Sequence, residues 1–145
     1  MKPIYLDNNA TTRVDPAVVD AMLPFFTEHF GNASSIHAFG SEVGKALKKA
    51  RSQVQALLGA EHDSEIIFTS CGTESDSTAI LSALKAQPDR NTVITTNVEH
   101  PAILTLCDWL EKEGYIVHKL KVDKKGRIDM DEYKSLLHDR VAIVS

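Results

Sequence analysis

The alternation of two periodicities along this chain limits its fold more than any other feature. Short runs with strand character, "TVITTNV", "YIVHKLKV" and "RVAIVS", are separated by longer segments whose apolar residues recur at three- and four-residue steps. Strands that alternate with helices imply crossover connections. The expected fold class is therefore α/β, a mostly parallel sheet with helices on both faces.

The first strong helix lies in "GSEVGKALKKARSQVQALLGA", where Val43, Leu47, Ala50, Val54 and Leu57 make one apolar stripe and Gly59 supplies a stop. "EIIFTS" reads as a short buried strand, and "TESDSTAILSALKAQ" as a helix ended by Pro88. "PAILTLCDWLEKEG" is a helix with proline in its first turn and glycine past its end. "DKKGR" is a turn, and Asp129 or Asp131 caps the short helix that follows it. No repeat, low-complexity tract or internal domain boundary is evident, so residues 1–145 are expected to act as one stretch of a domain. Val141 to Val144 has the pattern of a core strand, which leaves a sheet edge and an apolar face uncovered and predicts self-association.

Composition excludes some classes. A net charge of −4 and lysine pairs interrupted by acids argue against nucleic acid as a partner. The chain has no apolar run of bilayer length and no signal-peptide core, so no membrane role and a cytoplasmic location are expected. Cys71 and Cys107 lack metal spacing and are expected as reduced thiols, with no metal bound.

In parallel sheets ligands sit beyond the carboxyl ends of strands, where loops lead into helices. "FTSCGTESDS" occupies such a place. Its helix start offers unpaired N–H groups, Gly72 allows close approach and Thr73 brings a hydroxyl, which suits a phosphate. An ordinary N-cap by Ser70 or Thr73 satisfies the same residues. The lysine of a nucleotide-binding P-loop is missing, so a nucleoside triphosphate with magnesium is disfavoured. "TNVEHPA" places Glu99 and His100 between a strand and a helix. There a histidine can stack on a planar ligand and move protons, or simply be a satisfied structural residue. "LDNNATT" and "FGNASSIH" add two more polar stretches, each readable as a turn.

Taken together, "YLDNNATTRVDP", "FGNASSIHAFG", "FTSCGTESDSTAI" and "TTNVEHPAIL" resemble, in order and spacing, the cysteine desulfurases of the nitrogen-fixation type. These belong among the class V pyridoxal-phosphate-dependent aminotransferases, which share the fold-type I large domain. The resemblance implies that Gly72 and Thr73 bind the phosphate of pyridoxal 5'-phosphate. It implies that His100 stacks on the pyridine ring and helps proton transfer, and that Asn8, Asn9, Ala10 and Thr11 border the active site. Ala33 stands where many relatives have proline.

The implied reaction converts L-cysteine to L-alanine and passes sulfur to an enzyme cysteine as a persulfide. That sulfur serves an iron–sulfur scaffold protein in cluster assembly for nitrogenase. The family's complete enzymes are homodimers. They also need a Schiff-base lysine, a carboxylate on the pyridine nitrogen and a mobile thiolate, which the family carries downstream of the strand at residues 141–144. The chain therefore resembles the amino-terminal segment and the first part of the large domain, and alone is expected to be inactive. Lys45 and Lys85 fall in helical pattern as surface residues, Cys107 is expected in the core, and Cys71 is expected to be reactive without being the nucleophile. The rival readings are a selenocysteine lyase-like relative, a non-catalytic interaction module, and a nucleotide-type phosphate-binding domain.

Overall fold

Aspartate and proline at consecutive positions start the first helix. In the computed structural model, which describes residues 3–145, Asp15 is the N-cap of α1 (Pro16–Met22) and its carboxylate accepts the Ala17 amide at 2.8 Å. A second proline opens α2 (Pro24–Thr27). Sequence periodicity does not reveal these two helices, because each is too short for an apolar stripe to repeat. α3 runs over Ala38–Leu58 and ends at Gly59, whose φ of 71° is the left-handed stop expected of a glycine there. Its stripe is present but only partly covered: Val43, Ala50 and Val54 are half-buried and Leu57 is exposed.

The loop before α3 is tightly fitted. A side chain on Gly40 would stand 2.4 Å from the Ser35 carbonyl oxygen and 2.5 Å from that of Asn32, so only glycine lets the loop close over the helix start. A 3-10 turn at Asp63–Glu65 follows. Residues 3–67 form one compact unit and residues 68–145 a second.

The expected strand in "EIIFTS" does not form. Ile66 is buried, but Ile67 and Phe68 are exposed and no strand ladder runs through them. An extended backbone becomes a strand only when its polar groups pair with a neighbour. Here the Ile66 carbonyl is taken by the guanidinium of Arg51 instead.

The second unit contains the sheet. α4 (Gly72–Ala86), β1 (Thr92–Thr96), α5 (Pro101–Lys112), β2 (Ile116–Leu120), α6 (Met130–Leu136) and β3 (Val141–Val144) alternate as expected. These three strands pair in parallel, in the order β2-β1-β3. Asp129, not Asp131, caps α6, accepting the amides of Asp131 and Glu132.

Side-chain alternation along β1 divides the core. Val93 joins Ile80, Leu84, Ile103, Cys107 and Leu110 against α4 and α5, while Ile94 joins Leu120 and Val141 on the opposite face, with Tyr133 and Leu136 of α6 packed on it. Each fully buried aliphatic side chain contributes about 1.5–3 kcal/mol. The central strand therefore draws on both faces. β1 and β3 change register between Thr92 and Val93. At that irregularity the Gln87 amide donates to the Ala142 carbonyl at 3.1 Å and Arg90 donates to that of Val141 at 3.0 Å.

Candidate functional site

α4 begins where the polypeptide leaves an extended backbone at Cys71 (φ −166°, ψ 172°). Its first intrahelical bond runs from the Ser75 amide to the Cys71 carbonyl at 3.1 Å, and among the described residues the amides of Gly72, Thr73 and Glu74 have no carbonyl partner. They form the positive end of a 15-residue helix.

Neither Ser70 nor Thr73 is the N-cap that ordinary capping would have made it. Cys71 holds that position and Thr73 lies inside the first turn. Glu74 reaches back instead, accepting the Ser70 amide at 2.7 Å and its hydroxyl at 2.6 Å. The Ser70 hydroxyl, followed by its amide, holds the Glu74 carboxyl below its ordinary pKa. Thr69 bonds the Cys71 carbonyl at 3.1 Å and lies 2.5 Å from the Ser75 hydroxyl. The Cys71 thiol is exposed, and its pKa is lowered first by the Glu74 amide, then by the Ser70 hydroxyl and the Thr73 amide.

Gly72 differs from the chain's other glycines. Gly59, Gly114 and Gly126 have positive φ, and a side chain at Gly31, Gly40 or Gly44 would press on backbone carbonyl groups. At Gly72 φ is not positive and a Cβ would meet nothing within 4 Å. The protein's own packing and backbone do not require glycine there. The missing side chain leaves open space at the start of α4.

His100 is the N-cap of α5, and its Nδ1 accepts the Ala102 amide at 3.1 Å. Pro101 occupies the first helical position and has no amide to offer. The structure brings His100 and Thr73 to one groove of about 610 Å³ between α4 and α5, with Ser77, Thr105 and Trp109 along it.

Asn8, Asn9, Ala10 and Thr11 belong to the first unit. They form an exposed turn closed by the Ala10 amide on the Asp7 carbonyl at 3.1 Å. The Tyr5 hydroxyl lies 2.8 Å from the Asp7 carbonyl and 3.0 Å from that of Thr11. Sequence reasoning missed this role of Tyr5, since nothing local marks a hydroxyl that bonds six residues ahead.

Cys107 is buried in the core, where burial pushes its thiol pKa up, and Lys45 and Lys85 are exposed on their helices. Among the described residues no helix is long and apolar enough to cross a membrane, and no group of His, Cys, Asp and Glu could hold a metal ion.

Comparison with known proteins places the chain in a family. Cysteine desulfurase NifS of Azotobacter vinelandii is 75% identical over 145 residues, which are all of this chain and 36% of that protein. A cysteine desulfurase of Nostoc is 54% identical over the same length and the same share. Among solved structures, a NifS-like protein superposes with a TM-score of 0.90 at 37% identity, covering 97% of this chain and 39% of that one. SspA in complex with cysteine superposes at 0.84 with 31% identity, covering 94% and 40%. The chain thus spans little more than a third of the length of the curated relatives it matches. The fold is that of the fold-type I cysteine desulfurases. The profile of the aminotransferase class-V family matches residues 4–145, and the chain belongs to that family.

Proposed function

We propose that this chain supplies the amino-terminal segment and the first part of the cofactor-binding large domain of a pyridoxal-phosphate-dependent cysteine desulfurase. The whole protein converts L-cysteine to L-alanine and delivers the sulfur, as a persulfide, to an iron–sulfur scaffold for nitrogenase cluster assembly. It works as a cytoplasmic homodimer. The observation that carries this reading is Gly72, a glycine that neither packing nor backbone conformation requires and that leaves open space at the amino-terminal end of α4.

The residues present fit the cofactor. The first-turn amides of α4 and the Thr73 hydroxyl suit a phosphate dianion. Glu74, which would otherwise compete for them, is tied back onto Ser70. His100 offers a flat ring at the same groove. When bound, pyridoxal phosphate supplies the electron sink for bond breaking in the amino acid. Thr73 and the α4 amides anchor its phosphate end and His100 orients its ring. By the family resemblance, Asn8, Asn9, Ala10 and Thr11 are the residues expected to border the active site of the whole enzyme. The lysine and the thiolate of the reaction belong to the rest of the enzyme.

The test is an amide NMR titration of the chain with pyridoxine 5'-phosphate, which lacks the aldehyde that would label surface lysines, against pyridoxine. Saturable shifts at Gly72 and Thr73 with the phosphate ester alone are expected. Equal response to both ligands, or none, overturns the assignment. The chain alone should release no sulfide from cysteine, and robust release from protein of verified mass would overturn the placing of the lysine and thiolate elsewhere.

A further inference from the structure

The hydrogen bond that seats His100 on α5 also determines its protonation chemistry. The Ala102 amide can only donate, so the Nδ1 that faces it at 3.1 Å must present a lone pair. A neutral imidazole has one such nitrogen, and its proton is then on Nε2. Nε2 makes no hydrogen bond among the described residues, while the ring lines the groove shared with Thr73. We propose that the first turn of α5 holds His100 as its Nε2–H tautomer. In this state the residue presents a planar N–H donor to the groove, not a base.

The consequence follows from proton balance. Nε2 can accept a proton only after its own has left, which for a neutral ring requires a proton to arrive on Nδ1. A protonated Nδ1 would point a donor at the donating Ala102 amide, so proton transfer through Nε2 breaks the cap. With the cap intact, His100 stacks and donates. To take up a proton the ring gives up its bond to the Ala102 amide. The tautomer stands on the hydrogen bond alone, whereas its meaning for a ligand rests on the proposed cofactor site.

The experiment is imidazole nitrogen NMR on the chain labelled with ¹⁵N. His37 and His138 also accept backbone amides through Nδ1, at 3.4 Å from Gly40 and 3.2 Å from Arg140, so His100 is identified by scalar coupling from its Nδ1 to the Ala102 amide nitrogen. An unprotonated Nδ1 with this coupling and a protonated Nε2 are expected. A proton on Nδ1, or averaging between the tautomers, overturns the proposal. As a second measurement, His100→Asn keeps an acceptor near the position of Nδ1 whereas His100→Gln places its polar atoms near that of Nε2. Exchange protection of the Ala102 amide should survive in the first and fall about fivefold in the second, the usual worth of a cap. Equal loss in both overturns it. A mixed tautomer with ligand shifts at Gly72 intact would sink this inference alone. A single tautomer without those shifts would sink the cofactor reading alone.

Discussion

Glu74 and Ser70 are joined twice: the carboxylate accepts the serine amide at 2.7 Å and the serine hydroxyl at 2.6 Å. This pair holds the Glu74 carboxylate on Ser70. Ser70→Ala removes one of the two bonds, so the Glu74 pKa should rise toward its ordinary value, which ¹³C titration of the carboxyl would show. Affinity for a phosphate ester at Gly72 should fall several-fold as the freed carboxylate competes. An unchanged carboxyl titration would contradict the pairing.

Two glycines should respond in opposite ways to the same change. At Gly72 a methyl group meets open space, so Gly72→Ala should leave thermal stability unchanged or raise it by up to about 0.5–1 kcal/mol. The same change should weaken binding of pyridoxine 5'-phosphate tenfold or more. At Gly40 the methyl meets two carbonyl oxygens, and Gly40→Ala should cost about 1–3 kcal/mol in denaturant unfolding. Equal effects on stability at the two sites would show that the Gly72 opening has no special standing.

Much of the second unit's fold is legible in the sequence. α4 and α5 are bounded by Pro88, Pro101 and Gly114, and the strands that flank them are β-branched runs too short to be helices. The parallel class followed from their alternation. The strand order was not legible, because parallel pairing is chosen by contacts far apart in sequence. The failure at "EIIFTS" is similar: Arg51, fifteen residues earlier, takes the carbonyl a strand partner would have used. At the start of α4, the glycine beside hydroxyls is visible in the sequence, whereas the N-cap position of Cys71 and the bonds between Glu74 and Ser70 are not.

The two thiols should separate chemically. Cys71 is exposed with a lowered pKa, and Cys107 is buried with a raised one. Iodoacetamide at neutral pH should modify Cys71 at least tenfold faster, since the thiolate is the nucleophile. Peptide mass mapping reads the site, and pyridoxine 5'-phosphate should slow the reaction. Faster labelling at Cys107 would mean that the core around α5 opens readily.

Lys119 on β2 lies 2.6 Å from Asp108 and 3.1 Å from Glu111, both on α5. Its hydrogen bond lowers the Asp108 pKa, and the lysine pKa is raised by the same bond. The aspartate contribution is present above the ordinary carboxylate value and is lost as pH falls through the lowered folded value. The lysine contribution is full below its ordinary value and is lost as pH rises through the raised one. Lys119→Met should therefore flatten stability against pH at the acidic end below pH ~4 and at the alkaline end above pH ~10. Urea unfolding across pH measures it, and an unaltered acid limb would show that solvent screens the pair completely.

The central position of β1 has a consequence for synthesis. It is made before both of its neighbours, and β3, its second partner, is about fifty residues later in the chain. Until residues 141–144 have left the ribosome, Val93 and Ile94 belong to a strand with one open side. The nascent chain therefore passes through an interval of adhesiveness, and the cell's folding helpers have their opportunity during it.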